Sequence, residues 1–307
     1  MIVLGFDTSN YTTSIASFDG KIGENRSRLL DVKQGELGLR QSDAVFAHVK
    51  RLPELAASLF EQQEPSAVRA IGVSTRPRAV EGSYMPCFLA GVSAAQTMAA
   101  ALHVPCYAFS HQQGHIAAAL WSAGRMDLMT KPHLAWHLSG GTTELLLVEP
   151  EDRNVRAAVI GGSTDISAGQ VVDRTGKLLK LSFPSGKALD TLSAQVEKPE
   201  RFKVKTAELH FSLSGLENKV AAFAHAHSPE ETAAYAMSSV CDVIVRTTED
   251  AQKLYPGLPV VFSGGVASNS MLRKRCAKFD PVFAQPALST DNAMGIAVLT
   301  WLQEGEL

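Results

Sequence analysis

The sequence lacks three features that would assign it to a class directly. It has no apolar run long enough to cross a membrane, because the most apolar stretch, residues 87–102, is interrupted by Ser93 and Gln96. Its four cysteines form no CxxC pair and are widely spaced, which predicts reduced, mostly buried thiols in a cytoplasmic protein. Neither charge is in excess: 29 Lys and Arg residues against 31 Asp and Glu residues give a net charge of −2, so no broad basic surface for nucleic acid is expected.

Targeting and common nucleotide-binding signals are also missing. Residues 1–7 contain no basic segment and reach an acidic residue at Asp7, so they are predicted to form a strand rather than a signal peptide. No GxxxxGK[ST] motif occurs and no GxGxxG opens a helix, which excludes a P-loop and a Rossmann site. A nucleotide would therefore have to be bound by another kind of turn.

What the chain does contain is ample core material arranged in a repeated plan. Of 307 residues, 45% are hydrophobic and 20% charged, which suits two similar domains or one large α/β unit. A strand, a turn of small polar residues and a second strand occur at residues 2–18 and again at residues 133–148. We predict an α/β protein with two domains of related topology facing each other. The remaining predicted helices are residues 41–62, whose apolar residues at helical spacing include Val49, and residues 87–102, 171–181, 216–226 and 232–254. The remaining predicted strands are residues 68–74, 104–109 and 259–262.

The strongest chemical signal is a pair of histidines, His111 and His115, at the start of a predicted helix. Positions i and i+4 lie on one helix face, so both imidazoles could reach one metal ion. The alternative is an ordinary solvated or buried pair without an ion. Asp291 supplies the third ligand in the first interpretation and a helix N-cap in the second. Two His and one carboxylate leave coordination positions open, as expected for iron or zinc that binds substrate. Gln112 stands where a zinc peptidase has its glutamate, which argues against that mechanism.

Glycine-rich turns follow three apolar strands, at residues 139–141, 161–164 and 263–269. Glycine lets backbone N–H groups approach an anion, so three such turns predict a nucleotide cleft formed by hairpin turns of two facing lobes. Asp7 lies at the end of the first strand, beside Thr8 and Ser9. It suits a carboxylate that positions a metal or water next to phosphates, and its alternative is an Asx-turn.

Seven short motifs occur in a fixed order, at residues 111–115, 139–143, 172–180, 184–190, 211–216, 264–269 and 289–292. In the same order they resemble the motifs HxxGH, SGGHT, FDKxxKLLG, PGG with a following acid, FSFSGL, GGVAAN and CTDN. These belong to the TsaD family, the tRNA N6-adenosine threonylcarbamoyltransferases, formerly described as O-sialoglycoprotein endopeptidases or Gcp. The resemblance covers most of the chain.

The resemblance implies an actin/Hsp70-like (ASKHA) fold with two RNase-H-like lobes. The expected lobes are residues 1–108, with the C-terminal helix 292–307 packing on them, and residues 109–291. His111, His115 and Asp291 would hold iron or zinc, and Asp7 is assigned a catalytic role. The implied partners are tRNA and companion proteins of threonylcarbamoylation, and the reaction transfers a carbamoyl group rather than cutting peptides. The implied contacts to threonylcarbamoyl-AMP or ATP, with Mg²⁺ as an accompanying ion, are Ser139, Gly140, Gly141, Thr142, Thr143, Asp173, Gly186, Asp190 and Asn269.

Five positions depart from the family pattern. Tyr11 and Thr12 stand where the first loop of the family carries an acidic pair, and Thr142 replaces the histidine of SGGHT. Lys180 and Ser185 replace glycines. Because the loops nearest the reacting group have changed, we interpret the chain as a divergent paralogue and leave its acceptor open. The alternatives are a non-catalytic nucleotide-binding partner in a complex and a metallopeptidase.

Overall fold

The structure is a computed structural model that describes residues 1–9, 11–31, 39–289 and 291–305. Contacts between elements divide the chain into two compact units. Unit 1 comprises Met1–Lys131, Glu149–Ala157 and Asp291–Leu307, and unit 2 comprises Pro132–Val148 and Ala158–Thr290. Residues 109–131 therefore pack within unit 1, whereas the expected lobe boundary lies between residues 108 and 109.

The described elements alternate along the chain as an α/β protein requires. The strands are β1 (Ile2–Thr8), β2 (Thr12–Phe18), β3 (Gly23–Leu29), β4 (Val68–Arg76), β5 (Cys106–Ser110), β6 (His133–Leu138), β7 (Thr143–Glu151), β8 (Asn154–Ser163), β9 (Thr206–Ala207), β10 (His210–Phe211), β11 (Val260–Ser263) and β12 (Val282–Phe283). The α-helices are α1 (Gln41–Phe60), α2 (Phe88–Leu102), α3 (His111–Ser122), α4 (Ala168–Leu178), α5 (Gly186–Ser193), α6 (Ser214–Phe223), α7 (Pro229–Leu254), α8 (Ser270–Cys276) and α9 (Met294–Glu304).

Unit 1 is built on a five-stranded sheet of order β3-β2-β1-β4-β5. Strands β1, β2 and β3 pair antiparallel, and β1, β4 and β5 pair parallel. Every residue of the central strand β1 is buried, as expected for a strand covered on both faces. Gly5 in β1 permits the close approach of α9, because a Cβ there would lie 2.5 Å from the backbone nitrogen of Ala297.

Unit 2 is built on a seven-stranded sheet of order β12-β11-β6-β7-β8-β10-β9. Within it, the run β8-β7-β6-β11-β12 repeats the order of unit 1, with β6 antiparallel to β7 and parallel to β11. The short hairpin β9–β10 extends the sheet beyond β8. The predicted repetition of topology is confirmed, and in both units the order is the RNase-H-like one.

Several local predictions needed correction. Helix α4 begins at Ala168 and helix α7 at Pro229, three residues before the predicted starts, because Ser167 and Ser228 form capping boxes. The predicted apolar face of α1 is partly wrong, since Val49 is 57% exposed. Strand β3 was not predicted because it is a polar edge strand with no buried residue and without alternation of apolar residues.

All four cysteines are free, and three of them (Cys87, Cys241 and Cys276) are buried. In the part of the chain that the structure describes, no helix combines the length and apolar character needed to cross a membrane.

Candidate functional site

The histidine pair lies at the beginning of α3, directly after β5. Ser110 is the N-cap: its Oγ accepts a hydrogen bond from the Gln113 backbone N–H, and the Gln113 side chain accepts one from the Ser110 N–H. This capping box starts the helix at His111, so His111 and His115 lie one turn apart on the same face. The Ser-x-x-Gln signal was present in the sequence and was missed.

Helix α9 brings Asp291 to this pair. A Cβ at Gly295 would collide with the carbonyl oxygen of Gly114, so α3 and α9 can approach this closely only because residue 295 is glycine. Helix α9 begins at Met294 with Ala293 as its N-cap, which excludes the N-cap alternative for Asp291. The Asn292 side chain instead accepts the Met294 N–H.

Three ligand atoms converge at this point. His111 Nε2 and His115 Nε2 are 2.9 Å apart, and they lie 3.6 Å and 3.3 Å from Asp291 Oδ1. Donors about 2.1 Å from one ion are separated by about 3.0 Å at a right angle and by about 3.4 Å at a tetrahedral angle. The three side chains therefore have the spacing with which they could hold one ion, although they come from α3 and from the segment just before α9, which are distant in sequence.

Asp7 orients the first of these ligands. Its Oδ2 lies 2.7 Å from His111 Nδ1, so the carboxylate accepts the Nδ1–H and leaves Nε2 as the nitrogen that faces Asp291. Its Oδ1 accepts the Ser9 N–H, and Ser9 Oγ donates to Asp291 Oδ2. Asp7 thus makes the predicted turn contact and also contacts the site, with Ser9 as a link that sequence analysis missed.

The charges of this cluster are strongly coupled. Burial lowers the pKa of His111, but the carboxylates of Asp7 and Asp291 outweigh it and raise the pKa to about 10. Burial raises the pKa of Asp291, but its contacts with His111 and His115 hold that pKa well below the usual value. Without a metal ion the cluster therefore retains a proton, which a bound cation would displace.

The predicted nucleotide contacts at residues 139–143 lie in unit 2, on the N-terminus of α4. Thr143 Oγ1 accepts the Ala168 N–H, and Ser167 Oγ donates to the Gly140 carbonyl oxygen. Ser139 closes the turn, since its Oγ accepts the Thr142 N–H at 3.1 Å. A Cβ added at either Gly140 or Gly141 would meet nothing within 4 Å, so this part of the turn is open on its outer side.

The other predicted contacts in unit 2 are joined by hydrogen bonds between helices. We call Asp173, Ser185, Asp190 and Asn269 the unit 2 polar cluster. Asp173 in α4 accepts the Ser185 N–H at the start of α5, beside Gly186, and burial raises the pKa of Asp173. Asp190 in α5 accepts a hydrogen bond from Asn269 Nδ2 at 2.7 Å, while Asn269 Oδ1 caps α8.

The departures from the family pattern occupy defined positions. Tyr11 is half-buried and its carbonyl oxygen accepts the Leu30 N–H, while Thr12 is the buried first residue of β2. Lys180 has a φ of 60°, the left-handed conformation that glycine adopts without strain. Ser185 is the buried N-cap residue of α5, and a Cβ at Gly176 would collide with its side chain.

A model of the TsaD family, described as tRNA N6-adenosine threonylcarbamoyltransferase, matches residues 32–298. The chain belongs to the TsaD family. A relative of that name from Lactococcus lactis subsp. cremoris (strain SK11) is 30% identical over 328 residues, which span 98% of this chain and 91% of the relative. The chain is therefore an enzyme of a transferase family, as predicted.

Solved structures of other proteins share the fold of this TsaD-family member. HypF from T. kodakarensis superposes with a TM-score of 0.62 at 13% identity, over 99% of this chain and 47% of HypF. The activator of 2-hydroxyisocaproyl-CoA dehydratase from Clostridium difficile gives a TM-score of 0.56 at 13% identity, over 99% of this chain and 95% of the activator. At such low identity these likenesses show the fold alone, and the predicted ASKHA fold is confirmed.

Proposed function

We propose that this TsaD-family enzyme transfers a threonylcarbamoyl group from threonylcarbamoyl-AMP to the amine of a tRNA adenosine, with AMP as the leaving group. The observation that carries the proposal is the convergence of His111 Nε2, His115 Nε2 and Asp291 Oδ1, which all lie within 4.8 Å of one another. We assign them one divalent ion, iron or zinc, because imidazole nitrogen and carboxylate oxygen suit these metals.

The ion would act as a Lewis acid that polarises the carbonyl of the group being transferred. Asp7 serves as a positioning residue in this proposal. Its hydrogen bond to His111 Nδ1 fixes the ring orientation and the tautomer, so that Nε2 is available as a ligand. Ser9 adds to this by donating to Asp291 Oδ2, which holds the carboxylate in place while Oδ1 faces the histidines.

We assign the nucleotide part of the donor to unit 2. The turn of Ser139, Gly140, Gly141, Thr142 and Thr143 supports this assignment because it lies on the N-terminus of α4, where the helix dipole favours a phosphate. A structural neighbour, the dehydratase activator, is described with bound ADPNP. ATP with Mg²⁺ is the second nucleotide that this site would take. The remaining assigned contacts are Asp173, Gly186, Asp190 and Asn269.

The proposed partners follow from the reaction. The acceptor is tRNA, and the balanced net charge of −2 favours companion proteins that supply part of the basic surface a tRNA needs. We also propose that the protein works in the cytoplasm, where its free thiols stay reduced.

The proposal is tested by measuring metal content and transfer in the same preparation. Transfer of a labelled threonyl group from threonylcarbamoyl-AMP to unmodified tRNA is assayed with and without companion proteins. We expect one iron or zinc per chain and labelled tRNA. Bound metal with no labelled tRNA under any condition would reject the tRNA acceptor and favour the nucleotide-binding partner instead. Absence of bound metal after loading with iron and zinc would reject the assigned triad of His111, His115 and Asp291.

A further inference from the structure

A segment beside the histidine pair carries side chains that neither the metal nor the nucleotide assignment uses. We call residues 76–87, which join β4 to α2, the rim segment. At its start, Arg76 pairs with Ser110 in the β4–β5 register, and the Pro77 carbonyl oxygen accepts the Gln112 N–H at 3.0 Å. The first end of the segment is therefore fixed against the N-terminus of α3, next to His111.

The second end of the rim segment is fixed against the same histidine. Phe88, the first residue of α2, has its ring centroid 6.0 Å from that of His111. The Cys87 carbonyl oxygen accepts a hydrogen bond from Thr8 Oγ1, one residue from Asp7 in β1. Both ends thus contact elements that hold the triad, so the residues between them border that site.

The exposed side chains of the segment include a cation and an aromatic ring. The Arg76 side chain is exposed and forms no ion pair or hydrogen bond with any residue that the structure describes. Tyr84 is 62% exposed and Val80 is 51% exposed. The segment is internally ordered, since Ser83 Oγ accepts the Arg78 N–H at 3.0 Å. Glu81 is the single acidic residue in it.

Aromatic rings and guanidinium groups presented together are the chemistry of single-strand recognition. Unpaired bases stack on an aromatic face, and a cation neutralises the neighbouring phosphate, whereas paired bases offer no free face for stacking. The net charge of the whole chain does not favour a polynucleotide, but the cation and the ring of the rim segment do.

We infer that the rim segment binds the single-stranded RNA loop that presents the acceptor adenosine to the triad, with Tyr84 stacking on a base and Arg76 contacting a phosphate. This inference rests on the proposed transfer to tRNA. It assigns to unit 1 a binding surface for the acceptor RNA, distinct from the nucleotide site assigned to unit 2.

The test measures binding of two labelled RNAs by fluorescence anisotropy at several salt concentrations. One is a hairpin with an adenosine in its single-stranded loop, and the other is a fully paired duplex. We expect the wild-type protein to prefer the hairpin. Arg76→Glu should weaken hairpin binding about tenfold and reduce the slope of log affinity against log salt by about 0.7. Tyr84→Ala should also weaken it about tenfold, while Tyr84→Phe, which keeps the stacking face, should bind as the wild type does.

Controls separate this inference from the proposed function. Lys21→Ala removes an exposed cation from the β2–β3 turn of the same unit and should leave RNA binding unchanged. Metal content should stay at the wild-type level in all variants. If the wild type labels tRNA while Arg76→Glu and Tyr84→Ala keep its KM for tRNA, that result would overturn the inference and keep the proposed transfer. Loss of hairpin binding in Tyr84→Ala, with no transfer even by the wild type, would keep the rim segment as an RNA-binding surface and reject the transfer.

Discussion

The triad in unit 1 and the unit 2 polar cluster satisfy their polar groups in opposite ways. In the triad, two imidazole nitrogens and one carboxylate oxygen face one another at 2.9 to 3.6 Å. In the unit 2 polar cluster, acceptors meet donors from neighbouring helices, as when Asp190 accepts from Asn269 and Asp173 from Ser185. Three converging acceptors need a proton or a cation at their centre, whereas matched donors and acceptors need nothing more. The triad of unit 1 therefore needs a proton or the proposed ion at its centre, while the assigned nucleotide contacts of unit 2 also hold helices together.

The largest expected effect breaks the triad. His111→Ala removes one of three ligands, so bound metal should fall from one per chain to near zero and transfer should drop at least about 100-fold. Metal is measured by elemental analysis and transfer with labelled threonyl donor. His225→Ala, an exposed histidine in unit 2, is the matched control and should retain both. Equimolar metal in His111→Ala would contradict the triad.

Acid should act on unit 1 through His48. This imidazole is fully buried in α1, with Nδ1 2.8 Å from Thr13 Oγ1 and no hydrogen-bond partner for Nε2 among the described residues. Burial lowers its pKa from 6.5 to about 4, against the opposing effects of the Ser9 backbone and of the Asp7 charge. Between these values the unfolded chain binds a proton that the folded chain excludes. The free energy of unfolding should therefore fall on acidification, by about 3 kcal/mol from pH 6.5 to 4.

Urea unfolding of the wild type and His48→Asn at pH 7 and near pH 4 isolates this contribution. Carboxylates titrate in both proteins, so the difference between them belongs to His48. The variant should lose less stability on acidification. If both proteins lost the same free energy of unfolding on acidification, the pKa of His48 would not be lowered by burial.

Asp7→Asn sharpens the comparison within unit 1. The amide keeps an oxygen for the Ser9 N–H but no longer carries the charge that holds the His111 ring and tautomer. Metal affinity should weaken about 10- to 100-fold, as for other groups that orient a ligand. Asp19→Asn is the control, because Asp19 also accepts backbone N–H groups in a turn of unit 1. Unchanged affinity in Asp7→Asn would leave Asp7 as a turn residue only.

The smallest effect is expected in unit 2. Asp190→Ala removes the acceptor of Asn269 Nδ2 and of the Ser270 side chain, so the free energy of unfolding should fall by about 1–2 kcal/mol. Metal content should not change, and nucleotide affinity should fall. Glu197→Ala, an exposed acid in the same unit, should change none of these. If Asp190→Ala were as stable as the wild type, the unit 2 polar cluster would not stabilise the packing of its helices.

Contacts between residues close in sequence were predictable at this site, whereas contacts between residues distant in sequence were not. The i, i+4 spacing of His111 and His115 predicted their common face, and α3 has them there. The function of Asp7 was left between two alternatives, because nothing in residues 1–18 shows that β1 ends beside α3. The structure gives Asp7 both contacts, one to Ser9 and one to His111.

The fold shows the same division. The repeated strand–turn–strand pattern predicted two sheets of one topology, and the strand orders confirm it. The edge strand β3 and the exposed Val49 of α1 were mispredicted, because the apolar pattern does not tell which face of an element meets a neighbour. The predicted lobe boundary at residues 108 and 109 also differs from the packing, in which α3 belongs with unit 1.

The sequence by itself determined the alternating α/β plan, its duplication and the histidine pair, because these depend on periodicity over a few residues. The tertiary structure decided which carboxylates meet that pair. Asp7 reaches His111 from the end of β1, and Asp291 reaches both histidines because α9 packs on α3 where Gly295 meets Gly114. Such contacts require two backbone segments that are distant in sequence to lie so close together that one added Cβ would collide. No local pattern encodes that approach.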